Sequence, residues 1–275
     1  MTVSQSMPAA CAMVLGYELD NLLRKRAGYL IAAAYLFLVM AVCSLQGLQE
    51  SYFSWAFQMP VSLTTLVLPT AAMLLITVSL APVFSSEAER AAAAIPACCR
   101  LGSHGHRAAK LLAGILFSVI ISAALLAATL AVTAITGHLH PGDAVTGIDY
   151  YGAAYCALSP AWTVRGYICL SMAAQTVGAA VLAAMALFIS THTQTPATAM
   201  AVTLVFLLAE FYFRHFGPFP SLLTEINIWG LFEGYHLFDM ALFHGAPAEN
   251  LAMLSGAWIA ICVPLSWAVI RQKVI

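Results

Sequence analysis

The chain has 275 residues, of which 62% are hydrophobic and only 8% are charged, and its mean hydropathy is +0.89. A soluble globular domain carries about 25% charged residues, so this composition all but excludes a water-soluble enzyme. Disorder is excluded as well, because disordered chains combine low hydrophobicity with high net charge. The formal net charge of −1 gives no electrostatic attraction to nucleic acid. The sequence indicates an integral membrane protein.

The N-terminal segment, residues 8–26, has the pattern of an amphipathic helix. Leucines at i, i+4, i+7 and i+8 form one apolar stripe, and they are Leu15, Leu19, Leu22 and Leu23. Asp20 and Arg24 are four residues apart in the orientation that favours an ion pair. We expect this helix to lie in the inner membrane interface. A plain cytoplasmic lead-in to the first span is the alternative.

Six apolar stretches follow, each long enough to cross the roughly 30 Å hydrocarbon core as a helix. They are residues 28–48, 61–83, 111–136, 166–190, 196–213 and 251–270. The first of them follows the basic residues 24–26 and is predicted to be a retained signal anchor. The fifth alone contains a charged residue, Glu210, which could pair with Arg214 one turn later. The predicted fold is an all-α membrane protein, a single transmembrane domain over 1–275.

The basic residues predict the orientation. Six spans place both termini on one side, and nine of the eleven Lys and Arg then fall on the side of the N-terminus, the two exceptions being Arg165 and Arg214. Positive charge concentrates in cytoplasmic loops. We therefore expect a multi-pass protein of the plasma (inner) membrane with cytoplasmic N- and C-termini.

Residues 84–109, between the second and third spans, form a long cytoplasmic segment, which we call the docking segment. Ser85 or Ser86 is predicted to cap a short coupling-type helix whose first turn carries Glu87 and Glu89, and Pro96 is predicted to end it. Basic side chains follow this helix: Arg100, His104, His106, Arg107 and Lys110. A charged helix beneath the membrane suits docking of another protein. The alternative is a solvated loop that is basic only to fix the topology.

Two other connections, residues 137–165 and 214–250, are predicted to be external. The second is too apolar and aromatic for a solvated loop, yet its charges prevent a full span. We expect short interfacial or re-entrant helices that cap the outer mouth, with aromatic rings at the headgroup level. An aromatic belt with no role in transport explains the same composition.

The sequence lacks three common nucleotide-binding and catalytic motifs. The sequence contains no GxxxxGK[ST] phosphate loop, no HExxH and no GxSxG. The pairs His104/His106 and His138/His140 are more simply solvated loop histidines than metal ligands, and the seven cysteines are more simply buried apolar residues than a disulfide or zinc framework. We predict no catalytic residue, no metal site and no cofactor in this chain.

Small residues on two spans would permit close helix packing. Gly114, Ser118 and Ser122 follow one another at i, i+4 spacing in the third span. Gly178 and the run from Ala179 to Ala183 lie in the fourth. Alanine-rich composition makes such patterns common, so the pattern is a weak signal.

Local motifs resemble those of the permease subunits of ABC-2-type exporters. They are Phe84-Ser85-x-Glu87 at the end of the second span, Lys110-Leu111-Leu112 at the start of the third, and the basic ending Ile270-Arg271-Gln272-Lys273. The chain departs from the family pattern at Ala91-Ala92, where Gly-Thr is common, and after Arg100, where a proline shortly before a basic pair is common. These departures concern the shape of the docking segment.

The resemblance implies a transport subunit without its own nucleotide-binding motif. A second permease chain, in a homodimer or a heterodimer of paralogues, would pair with it, and a separate ABC ATPase subunit would bind ATP and Mg. The ATPase would dock on Ser85, Glu87, Glu89, Arg90 and Arg100, and would drive export of a hydrophobic or amphipathic substrate. Two alternatives remain: a membrane anchor or sensor that recruits a cytoplasmic partner without transport, and an intramembrane enzyme.

Overall fold

The computed structural model describes residues 7–24, 26–46, 68–89, 102–136, 141–142, 163–216, 222–233, 235–238 and 246–271. Over these ranges the chain is almost entirely helical and contains no strand. The helices are α1 (Met7–Leu23), α2 (Arg26–Gln46), α3 (Leu68–Leu80), α4 (Pro82–Glu89), α5 (Gly102–Ile135), α6 (Val164–His192), α7 (Pro196–Phe216), α8 (Leu222–Glu225), α9 (Ile228–Glu233), a 3₁₀ helix (Tyr235–Phe238) and α10 (Pro247–Arg271).

Five helical segments are long and apolar enough to cross a membrane, and they fall on the second to sixth predicted spans. They are Leu68–Ser86, His104–Ile135, Val164–His192, Pro196–Arg214 and Pro247–Arg271. The first predicted span, 28–48, falls on α2, in which the shorter segment Gly28–Ala41 is apolar. The expectation of an all-α protein with several membrane-spanning helices is confirmed, and the count of six stays a prediction.

The helices extend beyond the apolar stretches from which they were predicted. The third span was expected to begin at residue 111, but α5 already begins at Gly102, so the basic part of the docking segment from 102 to 109 forms its first turns. Likewise, α10 begins at Pro247 rather than at 251, since proline suits the first helical position. Apolarity marks the part of a helix that lies in lipid, and the helix continues where polar residues can also adopt it.

The core lies around α5 and α6, which form the most extensive helix pair, with α3, α9 and α10 packed against α6. A Cβ at Gly114 would lie 2.7 Å from Leu187 Cδ1, so the glycine allows the Leu187 side chain of α6 to pack directly on the backbone of α5. On α6, the small side chains of Ala179, Ala183 and Ala186 are fully buried. The close packing predicted from the small residues of the third and fourth spans is therefore present.

α1 packs along α5. From the predicted apolar stripe, Leu22 is buried, whereas Leu23 is 39% exposed. Arg24 Nε lies 2.8 Å from Asp20 Oδ2, which confirms the predicted i, i+4 pair. The stripe thus packs at least in part on protein, and the position of α1 in the inner interface stays a prediction.

Short helices occupy the segment predicted to cap the outer mouth. In α9, Ile228, Leu231 and Phe232 have no exposed surface, because this helix packs against α6 and α7. Trp229 and Phe232 therefore lie in the protein interior and not in an aromatic belt. Tyr212 and Phe216, near the end of α7, are exposed and are available to lipid headgroups. The external position of these elements stays a prediction.

Candidate docking site and its supporting contacts

The candidate docking helix is α4, which is separated from α3 by a break at Ala81 and Pro82. Proline lacks the amide hydrogen that a helix interior needs, and its ring clashes with the carbonyl four residues earlier. At the first position of a new helix, however, neither defect matters. The chain therefore ends α3 at Leu80 and begins α4 at Pro82.

The predicted capping by Ser85 or Ser86 is wrong, because α4 begins at Pro82 and both serines lie inside it. The Ser85 hydroxyl donates to the carbonyl of Ala81 at 3.3 Å, and that of Ser86 donates to the carbonyl of Val83 at 3.2 Å. Hydroxyls that bond backwards to a carbonyl in this way are typical of serine within a helix.

The cap of α4 comes from another helix. Ser190 Oγ, near the end of α6, accepts hydrogen bonds from the backbone N–H groups of Phe84 at 2.9 Å and Ser85 at 3.1 Å. Ser190 itself is 1% exposed. The first N–H groups of a helix have no acceptor within that helix, and in a membrane protein neighbouring hydroxyls supply one. Ser190 performs this role here.

Lys110 connects the root of α4 to α1. The side chain is 5% exposed, and its Nζ lies 3.6 Å from Glu18 Oε1 of α1. The same ammonium group lies 5.6 Å from the centre of the Phe84 ring, within the distance of a cation–π interaction. Phe84 and Lys110, two residues of the exporter-like motifs, therefore contact one another.

The structure describes the five predicted docking residues to different extents. Ser85 is fully buried and points its polar groups towards the break, so it supports α4 and is not an exposed docking residue. Glu87 and Glu89 belong to α4, but their side chains lie outside the described part of the structure. Arg90 and Arg100 lie outside the described residues altogether.

Other helix ends meet near the start of α5. His104 Nδ1 is hydrogen-bonded to the carbonyl oxygen of Ile270 at 2.7 Å, which joins the start of α5 to the end of α10. In the described residues, no group of three or more His, Cys, Asp or Glu side chains could hold a metal ion. His138 and His140 lie outside those residues. The start of α5 is therefore a meeting point of α1, α4 and α10.

A second polar network joins the end of α7 to α9. The expected pair of Glu210 with Arg214 does not form: Arg214 Nε lies 3.2 Å from Glu233 Oε2 of α9, and Glu210 Oε2 accepts the backbone N–H of Ile228 at 3.1 Å. Ile228 is the first residue of α9, where a carboxylate is favoured by unpaired N–H groups and by the helix dipole. Glu210 therefore caps α9.

Three further contacts fix α9 in place. The indole Nε1 of Trp229 donates to the carbonyl of Leu207 in α7 at 3.1 Å, and Gln175 Nε2 of α6 donates to the carbonyl of Phe232 at 3.1 Å. A Cβ at Gly178 would lie 2.9 Å from the Phe232 ring. The glycine is thus required for α9 to pack on α6.

His236, in the 3₁₀ helix, is fully buried against this network. Burial and, to a smaller extent, the positive charge of Arg214 lower the pKa of His236 to about 3, although a hydrogen bond to the backbone of Glu225 acts in the opposite direction. Its Nε2 lies 2.8 Å from the carbonyl oxygen of Glu225, and a carbonyl only accepts, so Nε2 carries the proton of the neutral ring. His236 is therefore neutral at ordinary pH.

No protein-family model matches the sequence, and a search of curated proteins finds no significant relative. Sequence reasoning missed the role of Ser190, the last residue of the fourth predicted span, and it missed the contact of Lys110 with Phe84. Pro82 was the available signal, since a proline inside a predicted span needs partners for the backbone groups that it frees.

Proposed function

We propose that this chain is the membrane-spanning permease subunit of an ATP-driven ABC-2-type exporter. It has six spans in the plasma (inner) membrane, with both termini and the docking segment in the cytoplasm. A separate ABC ATPase subunit, which binds ATP and Mg, docks on α4 and drives export of a hydrophobic or amphipathic substrate. The observation that carries the proposal is α4, a short helix that bears Glu87 and Glu89, packs against α6 and α7, and has its first turn held by Ser190 of α6 and Lys110 of α5.

A fixed root matters because α4 must transmit movement. A partner can change the conformation of the permease only through contacts that differ between two states, and rigid elements pass such a change on. Ser190 attaches α4 to α6, and Lys110 attaches Phe84 to α5 and α1. A loop that served only to fix the topology by its charge would need none of these contacts.

The distribution of charge supports a cytoplasmic location for the C-terminal end of α4. The contacts of Lys110 with Glu18 and of His104 with Ile270 bring α1, α4, the start of α5 and the end of α10 to one end of the bundle. Arg24, Lys110 and Arg271 belong to this end, whereas Arg165 and Arg214 belong to the other. By the positive-inside rule the first end is cytoplasmic.

A second permease chain, either a copy or a paralogue, belongs to the same proposal. Large apolar side chains on α7 are exposed, including Val202, Val205 and Leu208. Their surface is available to lipid or to such a chain. Export of an apolar or amphipathic substrate fits five apolar helices better than transport of an ion.

The experiment is purification of the chain from its native membranes in mild detergent, followed by assays of vanadate-sensitive ATP hydrolysis. We expect an ATPase subunit to co-purify and to drive transport in liposomes. Glu87→Gln combined with Glu89→Gln should reduce its binding and the associated hydrolysis at least severalfold. Glu249→Gln is the matched control, because Glu249 lies at the start of α10 at the opposite end, where its carboxylate accepts the N–H of Ala246 and an amide oxygen can do the same.

Two results would count against the exporter. A stable chain without any nucleotide-binding partner would remove the motor on which the proposal depends. A partner that binds α4 without any transport, and whose hydrolysis no substrate stimulates, would favour the anchor or sensor.

The orientation is tested separately by cysteine labelling in a background without the seven native cysteines. An impermeant maleimide should label Glu89→Cys only from the cytoplasmic side, and Glu249→Cys only from the external side. Labelling of both positions from one side would contradict the predicted topology.

A further inference from the structure

The break between α3 and α4 is a point at which movement could be lost. A proline at a helix junction removes one backbone hydrogen bond and allows the two helices to change their mutual angle. If α4 were attached only through Ala81 and Pro82, a force on α4 would bend this junction and leave the bundle unchanged. Some other contact must therefore resist the bending if α4 is to move anything else.

Ser190 is placed to provide that contact. Its neighbours near the end of α6 use their polar groups locally: Thr191 Oγ1 donates to the carbonyl of Phe188 at 2.7 Å, and Thr193 Oγ1 donates to that of Ile189 at 3.1 Å. Ser190 differs, since its oxygen accepts two N–H groups of α4.

Both hydrogen bonds are made to buried N–H groups in the first turn of α4, where they fix the helix most effectively. Phe84 and Ser85 are in the first turn of α4, so their N–H groups point out of the helix along its axis, and a single oxygen fixes both. Phe84 is 8% exposed and Ser85 is fully buried, so water does not readily replace the hydroxyl. On its other side Phe84 lies near the ammonium of Lys110, which opposes sideways movement of the same turn.

We propose that Ser190 is the positioning residue of α4: this helix packs against both α6 and α7, and the Ser190 hydroxyl fixes its orientation on α6, so that displacement of α4 moves α6 instead of bending the junction at Pro82. This inference rests on the proposed function insofar as a partner moves α4. The attachment itself is a property of the isolated chain and is testable without any partner.

The first experiment measures amide hydrogen exchange in the purified chain, in the peptide that contains Phe84 and Ser85. Ser190→Ala should accelerate this exchange about tenfold or more, since two buried donors lose their acceptor. Ser190→Cys keeps the size of the side chain but accepts poorly, so it should behave like Ser190→Ala. Ser190→Thr keeps the hydroxyl and should restore slow exchange.

The matched control is Ser171→Ala. Ser171 lies on the same helix and is also 1% exposed, but its hydroxyl has no hydrogen-bond partner, so its removal should leave the exchange of Phe84 and Ser85 unchanged. Slow exchange in Ser190→Cys would show that the size of the side chain, not its hydroxyl, positions α4. Equal acceleration by Ser171→Ala would show a general loosening of α6. Either result overturns the proposal.

The second experiment uses the complex with the ATPase. Ser190→Ala should retain ATPase binding and basal hydrolysis but lower the amount of substrate exported per ATP severalfold, with recovery in Ser190→Thr. Unchanged export per ATP, despite accelerated exchange, would refute the transmission to α6. If the exchange results hold and no ATPase is found, the attachment stands and the proposed function fails, so the two failures are distinguishable.

Discussion

Gly178→Ala tests whether α9 packs on α6 as closely as the structure shows. The new Cβ would lie 2.9 Å from Phe232 Cδ2 and Cε2, and 3.1 Å from Leu231 Cβ, although carbon atoms prefer about 3.5–4.0 Å. Phe232 and Leu231 have no exposed surface, so neither can swing into solvent. Overpacking of this kind costs about 1–3 kcal/mol, and displacement of α9 would also weaken its bond to Gln175.

Alanine has an opposing effect, because it favours a helix over glycine by about 0.5–1 kcal/mol. We therefore expect a net loss of about 1–2 kcal/mol for Gly178→Ala. Gly256→Ala isolates the helix effect: Gly256 also lies inside a helix, but no atom lies within 4 Å of its Cβ position. This variant should be more stable by about 0.5–1 kcal/mol.

The assay is thermal unfolding in one detergent, followed by tryptophan fluorescence, with Trp229 in α9 as a local reporter. A difference of about 2 kcal/mol corresponds to melting temperatures separated by roughly 5 °C, with Gly178→Ala the lower and the parent chain between. A Gly178→Ala protein that melts at or above Gly256→Ala would refute the close packing of α9 on α6.

Three other predictions concern charged groups. Arg214→Met and Glu233→Gln should each destabilise the chain by about 3 kcal/mol, because each removes one half of a buried ion pair, and the double variant should lose less than the sum in thermal unfolding. The stability of the parent chain should fall as the pH drops from about 6.5 towards 3, by up to about 1.4 kcal/mol per pH unit. In this range His236 of the unfolded chain takes up a proton, whereas the ring in the folded chain stays neutral because its pKa is lowered to about 3. His236→Gln should lose this part of the pH profile. Lys110→Met should speed hydrogen exchange throughout α1, because Glu18 loses its ion pair, and unchanged exchange would show that the pair does not hold α1.

The helical membrane class was predictable because it depends on composition and length. Uncharged runs such as 166–190 need a lipid environment, and lipid requires internally bonded backbone. The helix ends were less predictable. The start of α5 at Gly102 depends on residues that are neither apolar nor helix breakers, so hydropathy gave no signal for it.

At the candidate site, the contacts that could not be predicted from the sequence join residues that are far apart in the chain. Local reasoning gave Glu210 the nearest cation, Arg214, and gave α4 the nearest hydroxyls, Ser85 and Ser86. In the structure, a carboxylate and a hydroxyl from other helices satisfy free helix N-termini instead, as with Glu210 at Ile228. Because any Ser, Glu or Asn near the end of a span could do this, only the packing decides which residue does.

The single helix α6 holds both α4 and α9. Near one end Ser190 holds α4, and Gln175 and Gly178 hold α9 on the same helix. α6 runs for 29 residues without a proline, about 43 Å at 1.5 Å per residue, so nothing along it resembles the junction at Pro82. A displacement of α6 at Ser190 must therefore either deform the side-chain packing along this helix or displace α9. The packing at Gly178 allows little deformation, since the Phe232 ring already lies as close to the α6 backbone as glycine permits.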